Sequence, residues 1–181
     1  MKILPTALPE VLVIEPRVFG DDRGYFFESH NQREFEAATG VRANFVQDNQ
    51  SRSKKNVLRG LHYQNPQPQG KLLRVLAGEI FDVVVDIRRS SPAFGHWNGV
   101  ALSAENRLSI WVPAGFAHGF LVVSDYAEVL YKTTDYYAPQ HEQCILWNDP
   151  QLAIQWPLAG PPELSAKDQK GIPFKDAQVY A

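Results

Sequence analysis

Arg59, His62 and Lys71 fall within one short stretch, VLRGLHYQNPQPQGKLLRV. Imidazole titrates near neutrality and accepts a proton without a large shift, while Lys71 and Arg59 offer positive charge to a developing oxyanion or a phosphate. The stretch reads as strand, turn and strand, with a turn short enough to lay the two strands side by side. Parity argues against a simple convergence, because residues 59 and 62 should face opposite sides of a regular strand. Gly60 offers a bulge that re-aims one of them. The plain alternative is a hydrogen-bonded strand histidine flanked by solvated cations.

Three further segments bear on the same chemistry. In VLYKTTDYYAPQHE, Tyr131 lies on an expected strand and could point inward. A tyrosine facing a histidine across a pocket suits proton transfer to opposite faces of one carbon, which is what epimerisation needs. Buried tyrosines otherwise only seek a hydrogen-bond partner. In LSAKDQKG, Ser165 and Asp168 satisfy a capping box, yet Asp168 could instead bond His62 and fix its tautomer. Both hold only if the carboxylate is shared. RVFGDDRGYFFES and FVQDNQSRS carry an arginine, aromatic residues, Gln47 and Asn49, a combination suited to phosphate and base recognition.

These residues must be positioned by strands. Short segments rich in Val, Ile, Phe, Tyr and Trp recur between turn signals at 11–14, 25–28, 44–47, 57–64, 72–76, 80–87, 96–102, 107–112, 119–123 and 128–133. That spacing predicts an all-β sandwich or barrel, and we favour a jelly roll with a few short peripheral helices. One helix is expected in NQREFEAATG, with Asn31 capping, Glu34 returning the bond and Gly40 stopping it. No repeat, linker or second domain is evident, so residues 1–181 read as one domain.

Composition narrows the class. A net charge of −2 lacks the cationic excess of a general nucleic-acid binder. No stretch approaches the roughly 20 apolar residues of a membrane span. The single cysteine, Cys144, has no partner for an internal disulfide, and MKILPTALPE has neither the basic start nor the apolar run of a secretory signal. A cytoplasmic protein acting on a small ligand is expected.

WVPAGFAHGF fits the P-x-G-x-x-H pattern of the second cupin motif through Pro113, Gly115 and His118. Cupins are double-stranded β-helix jelly rolls, in agreement with the strand pattern. The first cupin motif supplies H-x-H and a Glu as metal ligands; here the matching positions hold His62, then Gln64, then Pro68 or Gln69. The chain therefore resembles a cupin without its metal set.

Taken together, FVQDNQSRSKKNVLRGLHYQ, QGKLLRVLAGEIFDVVVDIR, SPAFGHWNGVALSAEN, PAGFAHGFLV, YKTTDYYAPQHE and ILWNDP resemble the dTDP-4-dehydrorhamnose 3,5-epimerase family. The resemblance runs from about Gly20 to Asp168. It implies epimerisation at C3 and C5 of dTDP-4-dehydro-6-deoxy-D-glucose, with no cofactor and no metal. On matching positions it implies His62 as base, Asp168 as its partner, Tyr131 as acid and Lys71 at the C4 ketone. It also implies a substrate site of Arg23, Glu28, Gln47, Asn49, Arg59, His118, Glu142 and Lys167, with Phe19 and Tyr137 as stacking candidates. A homodimer is implied, the N-terminal segment reaching toward the neighbouring site. Two other classes compete: a metal-dependent cupin using His62 and His118, and a barrel that only binds nucleotide sugars.

Overall fold

The structure is a computed structural model that describes residues 1–181. Its strands are β1 (Lys2–Leu4), β2 (Leu12–Glu15), β3 (Val18–Asp21), β4 (Gly24–Phe27), β5 (Gln47–Lys54), β6 (Leu58–Gln64) and β7 (Lys71–Ala77). They continue with β8 (Glu79–Asp86), β9 (Trp97–Ser103), β10 (Ser109–Val112), β11 (Phe116–Val122), β12 (Tyr126–Thr133) and β13 (Glu142–Cys144). One sheet has the order β1-β2-β10-β7-β12-β5 and the other β13-β6-β11-β8-β9, with β3 and β4 forming a separate hairpin. Every ladder is antiparallel. The two sheets face each other as the expected jelly roll.

Alternation along the strands divides the core into three layers. Between the sheets, Leu73, Val75, Ile80, Val84, Ile110, Phe120 and Val129 interlock with Val11 and Val13. Residues of opposite parity on the second sheet, Leu61, Tyr63, Val83, Val85 and Ala117, pack against Ile145, Leu152, Phe174 and Ala177. The C-terminal segment thus covers that sheet's outer face, which is why β8 and β11 are apolar on both sides. A third cluster joins Phe35 to Ile14, Leu72 and Trp111 on the outer face of the first sheet. Each buried Val, Leu, Ile or Phe among them contributes about 1.5–3 kcal/mol of transfer free energy.

Phe35 belongs to the helix α1 (Gln32–Thr39). Asn31 caps it by accepting from Glu34 N at 3.2 Å, and Gly40, at φ 72°, closes it by donating to Glu36 O. The return bond expected from Glu34 is absent. Instead the Asn31 amide donates to Glu28 at 3.0 Å.

The structure corrects two strand expectations. β6 and β7 are not paired neighbours: β6 pairs with β11 and β13, and β7 pairs with β10 and β12. The stretch between them crosses from one sheet to the other, tied by Gln69 donating to Asp135 O at 2.8 Å and Gly70 N donating to Thr134 Oγ1 at 2.8 Å. Residues 44–46 are not strand, whereas the polar run Gln47–Lys54 is one, pairing along its whole length with β12.

Candidate active site

A cavity of about 470 Å³ opens between the two sheets. Its first wall is the six-stranded sheet, through Gln47, Asn49 and Ser51 of β5, Lys71 and Leu73 of β7, and Tyr131 of β12. All are odd-numbered, as one face of the sheet requires given that Tyr131 lies opposite both Leu73 and Asn49. The second wall is the five-stranded sheet, through Arg59 and His62 of β6, His118 and Phe120 of β11, and Glu142 of β13. Lys167 and Asp168 close it from the C-terminal segment.

The parity conflict between Arg59 and His62 is resolved by a bulge. His118 pairs with His62 but Phe120 pairs with Arg59, so β6 spends three residue steps where β11 spends two. Arg59 and His62 therefore share one face. Gly60 makes this possible: its φ is +115°, and an added Cβ would sit 2.7 Å from both Gly119 Cα and His118 O.

His62 and Asp168 lie 106 residues apart in the chain and meet at 2.5 Å, Nε2 to Oδ1. The carboxylate, only 3% exposed, also accepts from Gly60 N at 3.3 Å and from Ser165 Oγ at 2.6 Å. Ser165 Oγ in turn accepts from Asp168 N at 3.1 Å. The carboxylate is thus shared, Oδ1 serving His62 and Oδ2 the Ser165 hydroxyl, but the return bond from the Ser165 backbone N–H that would complete a capping box is absent. Burial opposes the charge on Asp168, but the bonds from His62 and Ser165, the charge of His62 and the Gly60 N–H outweigh it and hold the carboxyl below its usual range. With Nε2 directed at Asp168, Nδ1 is the ring nitrogen left to accept a proton.

His118 repeats the arrangement, its Nε2 lying 2.9 Å from Oδ2 of the fully buried Asp82. Both histidines of the cupin-like motifs thus direct a ring nitrogen at a carboxylate. Gln64, at the position of a further cupin ligand, accepts from Ala138 N and donates to Gln67 O, both at 2.8 Å. It braces two loops, so the donor set does not form the cupin metal cage.

Lys71 enters from the opposite wall and donates to the His62 carbonyl at 3.4 Å. It is 9% exposed, and burial pushes its ammonium down to about 8, with Glu142 and Asp82 opposing the fall. Burial likewise raises the Tyr131 phenol, against the lowering effect of Arg59, so it stays protonated and able to donate. Arg59 is fixed by two bonds to Ser53 Oγ, at 3.0 and 2.9 Å. Glu142 pairs with Lys167 and accepts from the Tyr137 hydroxyl at 2.5 Å. Burial raises Glu142, but these two bonds and the nearby charges of His62 and Lys167 leave it lowered overall.

Gln47, Asn49, Arg59, His62, Lys71, His118, Tyr131, Tyr137, Glu142, Lys167 and Asp168 all line this one cavity. Phe19, Arg23 and Glu28 do not. Arg23 is exposed and pairs with Asp21, Glu28 bonds Asn31, and Phe19 sits under Arg17 on the β3–β4 hairpin. Sequence reasoning missed Asp82 and the contribution of Cys144, whose Sγ lies 4.0 Å from Asp168 Oδ1. Asp82 carried a signal: an acid at core parity in EIFDVVVD needs a buried partner.

A sequence model described as dTDP-4-dehydrorhamnose 3,5-epimerase matches residues 5–176. The chain is 62% identical over 180 residues to the dTDP-4-dehydrorhamnose 3,5-epimerase of Pseudomonas aeruginosa, with 99% of each chain covered. It is 60% identical over 169 residues to that of Salmonella typhimurium, covering 93% of this chain and 92% of the other. The crystal structure of dTDP-6-deoxy-D-glucose-3,5-epimerase from Legionella pneumophila, in complex with dTDP-4-keto-L-rhamnose, superposes with a TM-score of 0.95 at 52% identity, covering 98% and 94%. With this fold, this cavity and near full-length matches at such identity, the chain belongs to the dTDP-4-dehydrorhamnose 3,5-epimerase family.

Proposed function

We propose that this protein inverts C3 and C5 of dTDP-4-dehydro-6-deoxy-D-glucose to give dTDP-4-dehydro-L-rhamnose, in dTDP-L-rhamnose biosynthesis, by acid-base chemistry without a metal. The observation that carries this reading is the placement of His62 and Tyr131 on opposite walls of one cavity, with His62 held at 2.5 Å by buried Asp168. A proton on carbon beside a ketone is acidic because the resulting enolate spreads its charge onto oxygen. His62 removes that proton through Nδ1, and Asp168 stabilises the imidazolium that forms. Lys71, on the Tyr131 wall, supplies positive charge to the C4 oxygen as the enolate develops. Tyr131 returns a proton to the other face of the carbon, and the configuration inverts.

Arg59 and Lys167 supply cationic contacts for the diphosphate, His118 and Glu142 contact the sugar, and Gln47 and Asn49 serve the base, with Tyr137 stacking at the rim. For Phe19, Arg23 and Glu28 the reading requires a second copy of the chain. The β3–β4 hairpin leaves Val18, Phe19, Tyr25 and Phe26 between 39% and 67% exposed, an apolar surface that suits burial against a neighbour. A homodimer in which each hairpin reaches the other subunit's cavity accounts for both observations, and the mass in solution tests it. The free thiol of Cys144 agrees with a reducing, cytoplasmic setting, and no helix is long and apolar enough to cross a membrane.

The test is incubation with dTDP-4-dehydro-6-deoxy-D-glucose in D₂O, with deuterium entry followed by NMR. Entry at both C3 and C5, with a product that a rhamnose-forming reductase accepts, supports the reading. Entry at one carbon makes the protein a mono-epimerase. No entry at either carbon refutes it.

A further inference from the structure

Cys144 has no part in the acid-base chemistry, yet the sheet holds it against the base. β13 pairs with β6 so that Cys144 lies directly opposite His62, and such cross-strand partners project to the same face. Its Sγ is 4.0 Å from Asp168 Oδ1, and that oxygen is 2.5 Å from His62 Nε2. One imidazole nitrogen, one sulfur and one carboxylate oxygen lie within 4.8 Å of one another, and two of the three residues, His62 and Asp168, line the cavity.

We propose that His62, Cys144 and Asp168 form a binding site for a thiophilic divalent cation, Zn²⁺ or Cd²⁺, whose occupancy switches the base off. Tetrahedral zinc bonds to N, S and O place ligand atoms about 3.4–3.6 Å apart. The His62–Asp168 pair must open by about 1 Å, the Cys144–Asp168 pair must close by a few tenths and the His62–Cys144 pair, now within 4.8 Å, by up to about 1.2 Å, shifts that side-chain rotation can supply. Asp168 is already oriented for this by Ser165 and Gly60, the outer-shell bonds that ligating carboxylates use. A mixed N, S and O set selects zinc-like ions over magnesium or calcium, which prefer oxygen alone.

The consequence for catalysis rests on the reading of His62 as the base. Without the ion, the ring proton sits on Nε2 facing Asp168 and the lone pair on Nδ1 faces the substrate. Coordination takes the Nε2 lone pair, so the ring proton moves to Nδ1. The Cys144 thiol releases its proton to water as the metal–sulfur bond forms. One proton leaves, no electrons are transferred, and the ring has no lone pair left for a carbon-bound proton.

The experiment titrates chelator-stripped full-length protein with CdCl₂, reading the ultraviolet thiolate-to-cadmium band, and in parallel measures epimerisation under increasing ZnCl₂. Wild type should develop the band at one equivalent and lose turnover through kcat, with EDTA restoring it. Cys144→Ala should lack the band, and its half-inhibiting zinc concentration, taken against its own metal-free rate, should rise at least about 10-fold. Cys144→Ser, which keeps the side-chain volume, serves if the alanine variant folds poorly. No band at one equivalent, or equal zinc sensitivity in wild type and variant, overturns the site. A full band with undiminished turnover keeps the cation site but overturns the switch, and with it the assignment of His62.

Discussion

Asp168→Asn is the substitution that separates the geometry of the dyad from its charge. The carboxylate accepts from His62, Gly60 and Ser165 in a nearly dry setting. An amide of equal size keeps the packing but carries no charge to stabilise the imidazolium. A hydrogen bond to a charged group contributes about 1.5–3 kcal/mol against about 0.5–1.5 for a neutral one. The difference of about 1–2 kcal/mol corresponds to a rate loss of about 5- to 30-fold. If the amide turns its NH₂ toward Nε2, the ring must carry its proton on Nδ1, and the loss approaches about 10⁴, as for the same swap in a His–Asp pair of known mechanism. Deuterium wash-in at C5 and C3, followed by NMR, reads the effect directly, and dTDP affinity by calorimetry controls for folding. Wash-in within about two-fold of wild type, a difference under 0.5 kcal/mol, would refute the dyad.

The remaining predictions concern the groups around it. With the Lys71 ammonium at about 8, kcat/KM should fall as pH rises through that value, and Lys71→Met should lose this limb together with most of the activity. Stability should run the other way: the folded pKa lies below the ordinary 10.5, so between about 8 and 10.5 the unfolded chain binds more protons and stability rises with pH, which urea midpoints at the two ends will read. Tyr131→Phe should retain the first deprotonation, seen as exchange, far better than net inversion; normal turnover in this variant would remove Tyr131 as the acid. Arg59→Ala should weaken nucleotide-sugar binding about 10- to 100-fold through loss of charge-assisted bonds, and an unchanged Kd would take Arg59 out of the site.

How far the sequence discloses this arrangement depends on what each segment buries. β8 and β11 are apolar on both faces because the core lies on one side and the C-terminal segment on the other, and they read easily as strands. α1 is legible from Asn31 and Gly40 alone. β5 is not, since QDNQSRSK sends one polar set into the cavity and the other to solvent, leaving no hydrophobic alternation to find. β13 is three residues long and has no pattern of its own.

The convergence of Arg59, His62 and Lys71 was foreseeable, but through a different route from the hairpin that their spacing implies. They meet because the chain crosses between facing sheets, and local turn chemistry does not encode which sheet receives the next strand. The Gly60 bulge could be anticipated from parity, whereas the His118–Asp82 pair could not be assigned without the β8–β11 ladder. On the proposed homodimer, Phe19, Arg23 and Glu28 stand apart for a related reason: a segment that serves a neighbour leaves no trace of that in its own chain's contacts.

The most direct test of His62 as the base is the exchange of His62→Ala in D₂O beside its affinity for dTDP. No deuterium should enter C3 or C5 above the uncatalysed rate, with nucleotide affinity close to wild type because the diphosphate contacts proposed for Arg59 and Lys167 are untouched. Exchange at the wild-type rate in this variant would show that another group removes the protons, and the reading of the His62–Asp168 pair as the base would be wrong.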